Sequence, residues 1–180
     1  MEKREYIVTK LEIMSPSLEN LLSGEFDSEI KKRMEEVIET EAPLRESILL
    51  KRVLNSFSLY KLGSRLSKHF VAIENELDAL KTTDNCGEIV FHNGKNEDFF
   101  RPTPIAEVRY SYQIPTAEAS NALIYIIENS NKNSFTKNEL LRLFINEMGW
   151  EKNGDKIEAL FSDALKDERI KRSRNGRIIK

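Results

Sequence analysis

Apolar residues recur at helical spacing in three successive stretches of the first half of the chain. Ile30, Met34, Val37 and Ile38 fall at i, i+4, i+7 and i+8, which predicts a helix over about 28–40, with Asp27 and Ser28 as candidate caps and Pro43 as its stop. Leu49, Leu50, Val53, Leu54 and Phe57 predict a second helix over about 46–57. After Gly63, the residues Leu66, Phe70, Ile73, Leu77 and Leu80 stay on one face for four turns and predict a third. The period then changes. Ile89-Val90-Phe91 and Phe99-Phe100 flank Asn93-Gly94, the pattern of two short strands joined by a tight turn.

The same order then returns. Leu49-Leu50 recurs as Leu140-Leu141, Val53-Leu54 as Phe144-Ile145, Gly63 as Gly154, Arg65-Leu66 as Lys156-Ile157 and Phe70 as Phe161, all offset by 91. Val37-Ile38-Glu39 matches Ile126-Ile127-Glu128 at an offset of 89, which places a two-residue insertion before the second helix. In the second copy Thr136 and Glu139 have capping-box spacing, and Gly149 stands where a helix needs a left-handed terminal residue. Its counterpart is Ser58, so the first copy's turn is expected to be strained or differently shaped. A second hairpin is expected over Ile170–Ser173 and Arg177–Lys180, around Asn175-Gly176. Three helices and a hairpin, twice, give the expected fold class: mainly α with small β-hairpins (α+β), as two tandem winged-helix modules. The expected organisation is an arm over 1–26, module 1 over 27–101, a connector over 102–116 and module 2 over 117–180. The arm carries a β-like run at Tyr6–Thr9 and is expected to pack on module 1. The connector alternates Val108, Tyr110, Tyr112 and Ile114 like a strand between prolines and is expected to dock.

Composition narrows the function classes. With 180 residues, 7 Gly, 5 Pro and 32% charged residues, the chain reads as globular and helix-rich. The single cysteine, Cys86, closes no disulfide within the chain and fits a reducing, cytoplasmic setting. With only His69 and His92 beside it, no ordinary zinc set forms, and no cofactor or metal is expected. The first six residues lack an apolar signal core, and the longest apolar run, 122–127, is too short to cross a bilayer, so no membrane partner is expected.

Glu41-Ala42-Pro43-Leu44, Lys51-Arg52-Val53 and the run Ser58-Leu59-Tyr60-Lys61-Leu62-Gly63-Ser64-Arg65-Leu66 carry a family resemblance. The pattern resembles an uncharacterised domain found near the C-terminus of large bacterial superfamily-1 DNA/RNA helicase proteins, many of which also carry a Vsr-like endonuclease domain. In that pattern an acidic-Gly-Pro-Ile step precedes Arg-Arg-Val and a Gly-x-x-Arg-x-Gly-x-Arg-Ile entry to the next helix. Here Ala42 and Ser58 replace glycines and Lys61 replaces an arginine, while the second copy reads Gly149-Trp150-Glu151-Lys152-Asn153-Gly154-Asp155-Lys156-Ile157. The resemblance implies a helicase-associated accessory module, with a helicase or nuclease polypeptide as a partner, and brings no catalytic residues.

Charge placement supplies the candidate chemistry. The net charge is −2, yet residues 164–180 hold seven Lys and Arg against Asp167 and Glu168. Local field rather than net charge draws a phosphate backbone, and a winged helix lays its third helix in the major groove with its hairpin near phosphates. The outward face of the first copy's third helix carries Lys61, Ser64, Arg65 and Lys68, and that of the second carries Lys152 and Lys156 interrupted by Asp155 and Asp163. The second hairpin adds Lys171, Arg172, Arg174 and Arg177. These ten residues are the candidate nucleic-acid-binding set, and a non-enzymatic module for duplex DNA is the expected function. The alternative is a protein-docking module with solvated charge. Glu29-Ile30-Lys31 has nuclease-like spacing but lies on a helical stripe, and Asn93-Gly94 reads as a turn rather than a phosphate loop. His69 reads as a boundary side chain, and Trp150, Tyr110 and Tyr112 either stack on bases or pack between modules.

Overall fold

The structure, a computed structural model, describes residues 1–61, 63–104 and 108–180. Leu62, in the helix-entry motif, and residues 105–107 of the connector lie outside the described residues. Seven helices and small sheets, counted among the described residues, make the fold mixed α+β, in two units. The N-terminal unit comprises Ile7–Thr83 and Gly87–Lys95; the C-terminal unit comprises Met1–Tyr6, Asp84–Cys86 and Asn96–Lys180.

Strand β1 (Glu2–Lys3) opens the chain in the C-terminal unit. The N-terminal unit then runs α1 (Leu18–Leu22), α2 (Asp27–Glu41), β2 (Leu44–Arg45), α3 (Glu46–Ser56), α4 (Ser64–Glu74), β3 (Leu80–Thr83) and β4 (Ile89–His92). Its sheet has the order β2-β4-β3, antiparallel throughout, with Leu44 opposite Phe91 and Leu80 opposite His92. The predicted stripes form its core: Ile30, Met34, Leu49, Val53 and Phe70 are fully buried beside Phe57 and Phe91. Each large side chain removed from water contributes about 2–3 kcal/mol. Arg33 lies in this core, its guanidinium 4.5 Å from the centre of the Phe57 ring and donating to the Glu12 carbonyl at 2.7 Å, which ties residues 7–26 to α2.

The C-terminal unit repeats the order helix, strand, helix, helix, strand, with an isolated bridge at Arg172 where the N-terminal unit has a further strand. After β5 (Phe99–Phe100) come α5 (Thr116–Asn129), β6 (Ser134–Phe135), α6 (Lys137–Glu147), α7 (Asp155–Ala164) and β7 (Ile178–Ile179). Strand β7 pairs with β6 on one side, and Ile178 bridges Arg172 on the other. Phe135, Phe144 and Phe161 fill the core at 0% exposure. Thr136 and Glu139 form the predicted capping box, with Glu139 N–H donating to Thr136 Oγ1 at 3.2 Å and Thr136 N–H to Glu139 Oε2 at 2.8 Å. Gly149 has φ +76 and Ser58 has φ +59, so the first copy keeps the same left-handed turn on a residue that resists it. The Ser58 hydroxyl donates to the Met14 carbonyl at 3.1 Å, a bond a glycine would lack.

Four expectations are corrected. The first hairpin joins β3 to β4, not Ile89–Phe91 to Phe99-Phe100; β5 instead pairs in parallel with β1. Helix α4 stops at Glu74, and the apolar stripe overruns it: Leu77 is buried from the following loop, while Leu80 is exposed on β3. Asp27 does not cap α2; its Oδ1 sits 2.7 Å from His69 Nε2 on α4, which makes His69 a fastener between helices. The strand-like alternation of 108–114 does not form a strand: residues 111–113 make a 3-10 turn, and Ile114 alone of the four alternating apolar residues is buried. Arg109 and Ser111 are buried while Val108, Tyr110 and Tyr112 are exposed, because Arg109 finds a buried carboxylate.

That carboxylate is Glu118, on the first turn of α5. Arg101 reaches Glu118 Oε2 at 2.9 Å and Arg109 reaches Oε1 at 2.6 Å, with all three side chains at most 5% exposed. Arg109 also donates to the Arg101 carbonyl at 2.7 Å and lies 4.1 Å from the Tyr6 ring centre. The connector is therefore docked by charge rather than by strand pairing. Thr103 N–H adds a bond to the Met148 carbonyl at 2.9 Å, and Trp150 Nε1 donates to the Arg109 carbonyl at 3.0 Å.

Candidate functional site

The ten sequence-derived candidates fall on three surfaces. On the N-terminal unit, Lys61 lies in the turn before α4, and Ser64, Arg65 and Lys68 lie on its first turn and a half, all exposed. Leu66 and Phe70 bury the opposite side of this helix, which fixes the outward direction of Arg65 and Lys68. Lys61, Arg65 and Lys68 make no ion pair among the described residues, so their charge stands in solvent. Tyr60, 83% exposed, adds an aromatic ring next to Lys61. It had a sequence signal, an aromatic abutting a cation in a helix-entry turn, that charge counting alone passes over.

On the C-terminal unit, Lys152 and Lys156 occupy the corresponding positions and are exposed. Lys156 Nζ lies 5.6 Å from the centre of the Tyr112 ring. Asp155 and Glu158 share that first turn, so the face is mixed in charge. Trp150 is half-buried: it packs edge-on against Phe144, with ring centres 5.5 Å apart, at the margin of the core.

The third surface is the second hairpin, where the structure divides the cations. Ser173 N–H donates to the Arg177 carbonyl at 2.9 Å, and Gly176, at φ +78, makes the expected turn. Lys171 and Arg174 are exposed and make no side-chain bond among the described residues. Arg177 turns inward instead: Nε donates to Ser134 Oγ at 3.0 Å, and the guanidinium lies 3.8 Å from Glu139. Arg172 donates to the Leu165 carbonyl at 3.1 Å. Arg169 is bonded to Asp167 and Asn121, Lys166 to Asp163, and Lys180 to the Ser130 carbonyl. Five of the seven cations in the basic tail thus have a bonded partner within the unit.

The carboxylates that absorb this charge respond accordingly. The Thr136 N–H, then Lys132 and the Thr136 hydroxyl, hold Glu139 at a pKa of about 2. Arg169 bonding holds Asp167 below its ordinary value. In the N-terminal unit the balance is opposite. Burial, then the nearby charges of Glu74 and Glu88, raise Glu46, at the start of α3, above the ordinary carboxylate value. Glu74 is 1% exposed and bonded by Lys81 at 3.1 Å.

Other sequence motifs prove structural. Glu29 pairs with Arg33 at 2.7 Å and Lys31 donates to the Glu76 carbonyl, so the nuclease-like spacing belongs to a helix surface. Cys86 is an exposed free thiol. Among the described residues no cluster of three or more His, Cys, Asp or Glu is arranged to hold a metal ion, and no helix is long and apolar enough to cross a membrane.

Residues 19–68 match a protein family of unknown function, DUF3320. The matched span runs from α1 into α4 and ends on Lys68, so it contains the whole first basic surface. No curated protein and no solved structure matches the chain.

Proposed function

We propose that the chain is a non-enzymatic nucleic-acid-binding accessory module that grips duplex DNA through its phosphates. The observation that carries this reading is the row of exposed, unneutralised cations Lys61, Arg65 and Lys68 along the start of α4. Helix, strand, helix, helix, strand, strand, with the first strand outside a hairpin, is the order expected of a winged helix, and α4 is its third helix. We take the N-terminal unit as a winged-helix module on that basis, and the C-terminal unit, in which α7 is followed by an isolated Arg172 bridge and β7, as a reduced copy. In such a module the third helix enters the major groove by its N-terminal end, where the positive end of the helix dipole adds to Arg65 and Lys68. Arg65 would reach base edges, Lys61 and Lys68 the flanking phosphates. In the C-terminal unit the phosphate contacts fall to Lys152, Lys171 and Arg174. The resemblance to a domain of helicase proteins supports a setting in which the module accompanies a helicase or nuclease polypeptide.

The test is a fluorescence-anisotropy titration of labelled duplex DNA against salt. Each cation that neutralises a phosphate contributes about 0.9 to the slope of log affinity against log salt. Replacing Arg65 and Lys68 by alanine should weaken binding and flatten the slope by about two. Unchanged affinity and slope in the folded variant would overturn the reading.

A second reading, docking to another polypeptide, is favoured by one observation on the N-terminal unit. A cleft of about 310 Å³ is lined by Glu35, Glu39, Asp78, Leu77 and Leu80. Glu39 is paired with Lys95, but the carboxylates of Glu35 and Asp78 repel phosphate and, with two leucines, suit a basic, partly apolar peptide. Loss of partner capture on Glu35→Lys with DNA binding intact would separate the two surfaces.

A further inference from the structure

Tyr110 and Tyr112 flank Ser111 at a short 3-10 turn, Ser111–Gln113, ahead of α5. Their rings stack nearly parallel, with centres 5.6 Å apart and planes at 10°. Tyr110 is 54% exposed and Tyr112 41%, while Ser111 between them is buried. The turn thus buries its small residue and presents its two aromatic ones. Folding energetics favour the reverse, since each exposed ring forgoes burial. The turn is closed by hydrogen bonds. Tyr110 N–H donates to Gln113 Oε1 at 2.7 Å, and Gln113 N–H donates to the Tyr110 carbonyl at 2.9 Å. Buried Arg109, next in the chain, is anchored by Glu118. Lys156, on the first turn of α7, brings its ammonium to 5.6 Å from the Tyr112 ring.

We propose that Tyr110 and Tyr112 form a stacking platform for an unpaired nucleobase at the end or fork of a duplex, with Lys156 placed for its phosphate. The inference rests on the nucleic-acid reading and adds a substrate feature to it: a preference for partly unpaired DNA. Two rings already in parallel extend naturally by a third planar group, and a base offers its face whatever its sequence. The adjacent cation selects planar groups that carry negative charge, which a nucleotide combines and an aromatic side chain of a protein partner does not. The platform stands beside α7, the third helix of its unit, where the duplex would be held.

The experiment titrates the full chain with three labelled ligands: a blunt duplex, the same duplex with a short unpaired thymidine extension, and single-stranded oligothymidine. The wild type should bind the extended duplex about 10-fold more tightly than the blunt one, the scale of one base–aromatic stack. Tyr110→Ala should erase that preference and leave blunt-duplex affinity unchanged, and Tyr110→Phe should keep it. Equal binding of blunt and extended duplexes by the wild type, or a preference that survives Tyr110→Ala, overturns the platform alone. Failure of all three ligands to bind overturns the nucleic-acid reading and the platform with it.

Discussion

Glu118→Gln is the sharpest perturbation of the C-terminal unit. Burial by itself would raise the Glu118 carboxyl, but the charges of Arg101 and Arg109, then their hydrogen bonds, outweigh it and hold the group at about 2 against an ordinary 4.5. At about 1.4 kcal/mol for each tenfold change in proton affinity, that gap is on the order of 3 kcal/mol of folded-state preference for the ionised form. Glutamine keeps the shape but only one of the two acceptor oxygens, turns an amide NH2 toward guanidinium N–H groups and leaves two buried guanidiniums without a counter-charge. Breaking a buried pair from one side costs about 3–5 kcal/mol by an independent route, so the two figures agree. The sign with pH follows. A carboxyl depressed in the folded state contributes fully above its unfolded value near 4.5, and that contribution is lost as pH falls toward 2.

The assay is urea unfolding followed by the fluorescence of Trp150, the chain's one tryptophan, which donates to the Arg109 carbonyl at 3.0 Å and so reports on this unit. The variant should lose about 3 kcal/mol at pH 7. The wild-type advantage over it should shrink between pH 4.5 and 3. Glu139 and Asp167 are also depressed and titrate in both proteins, so the difference between the proteins isolates Glu118. A loss below about 1 kcal/mol at pH 7, or an advantage that does not change with acid, would refute the argument that the ion triad docks the connector.

Gly149→Ala should cost about 1–2 kcal/mol in the same urea assay, because the left-handed turn penalises a side chain even where Thr103 leaves van der Waals room. Ser58→Gly should lie within about 0.5 kcal/mol of wild type, since relief of the turn offsets the lost bonds to Met14 and Ser15. Lys171→Ala with Arg174→Ala should weaken duplex binding without moving the urea midpoint. Arg177→Ala should move the midpoint, because it empties the contacts to Ser134 and Glu139. Glu46→Gln should flatten the pH dependence of the melting temperature of the N-terminal unit, read by circular dichroism. A carboxyl raised in the folded state contributes fully below about 4.5, and that contribution is lost as pH rises through its folded value.

The helices were legible because each buries one stripe against a core, and burial imposes a period. Leu49, Val53, Phe70 and Phe161 could not shift by one position without exposing themselves. Strands of two to four residues carry no such constraint. Phe99-Phe100 reads equally well as the return strand of a hairpin or as the partner of β1, and the choice falls to β1 through the pairing of Lys3 with Phe100. Residues 108–114 misled for a related reason. Alternation alone does not make a strand: Arg109 is drawn inward to Glu118 and Ser111–Gln113 turns, so Val108, Tyr110 and Tyr112 are exposed while Ile114 is buried. Glu118 itself left a trace, since it shares a helical face with Ala122 and Tyr125, and a charge on an apolar stripe requires a buried partner.

Charge counting met a different limit, and it bears most on function. Seven cations over residues 164–180 predict a strong field only if their side chains end in water. The strands here are too short to close on backbone bonds alone. Arg177 reaches Ser134 across the β6–β7 pair, Arg172 caps the Leu165 carbonyl after α7, and Lys180 closes on Ser130. A guanidinium that donates to a carbonyl keeps its charge but gives up donors and freedom, and one facing a carboxylate loses its field as well. On α4 the situation is reversed: the helix satisfies its own backbone, the core holds Leu66 and Phe70, and Arg65 and Lys68 have nothing left to close. Three cations that make no ion pair among the described residues are stronger grounds for a ligand than seven of which five are already bonded, which is why the binding reading rests on α4 rather than on the more basic tail.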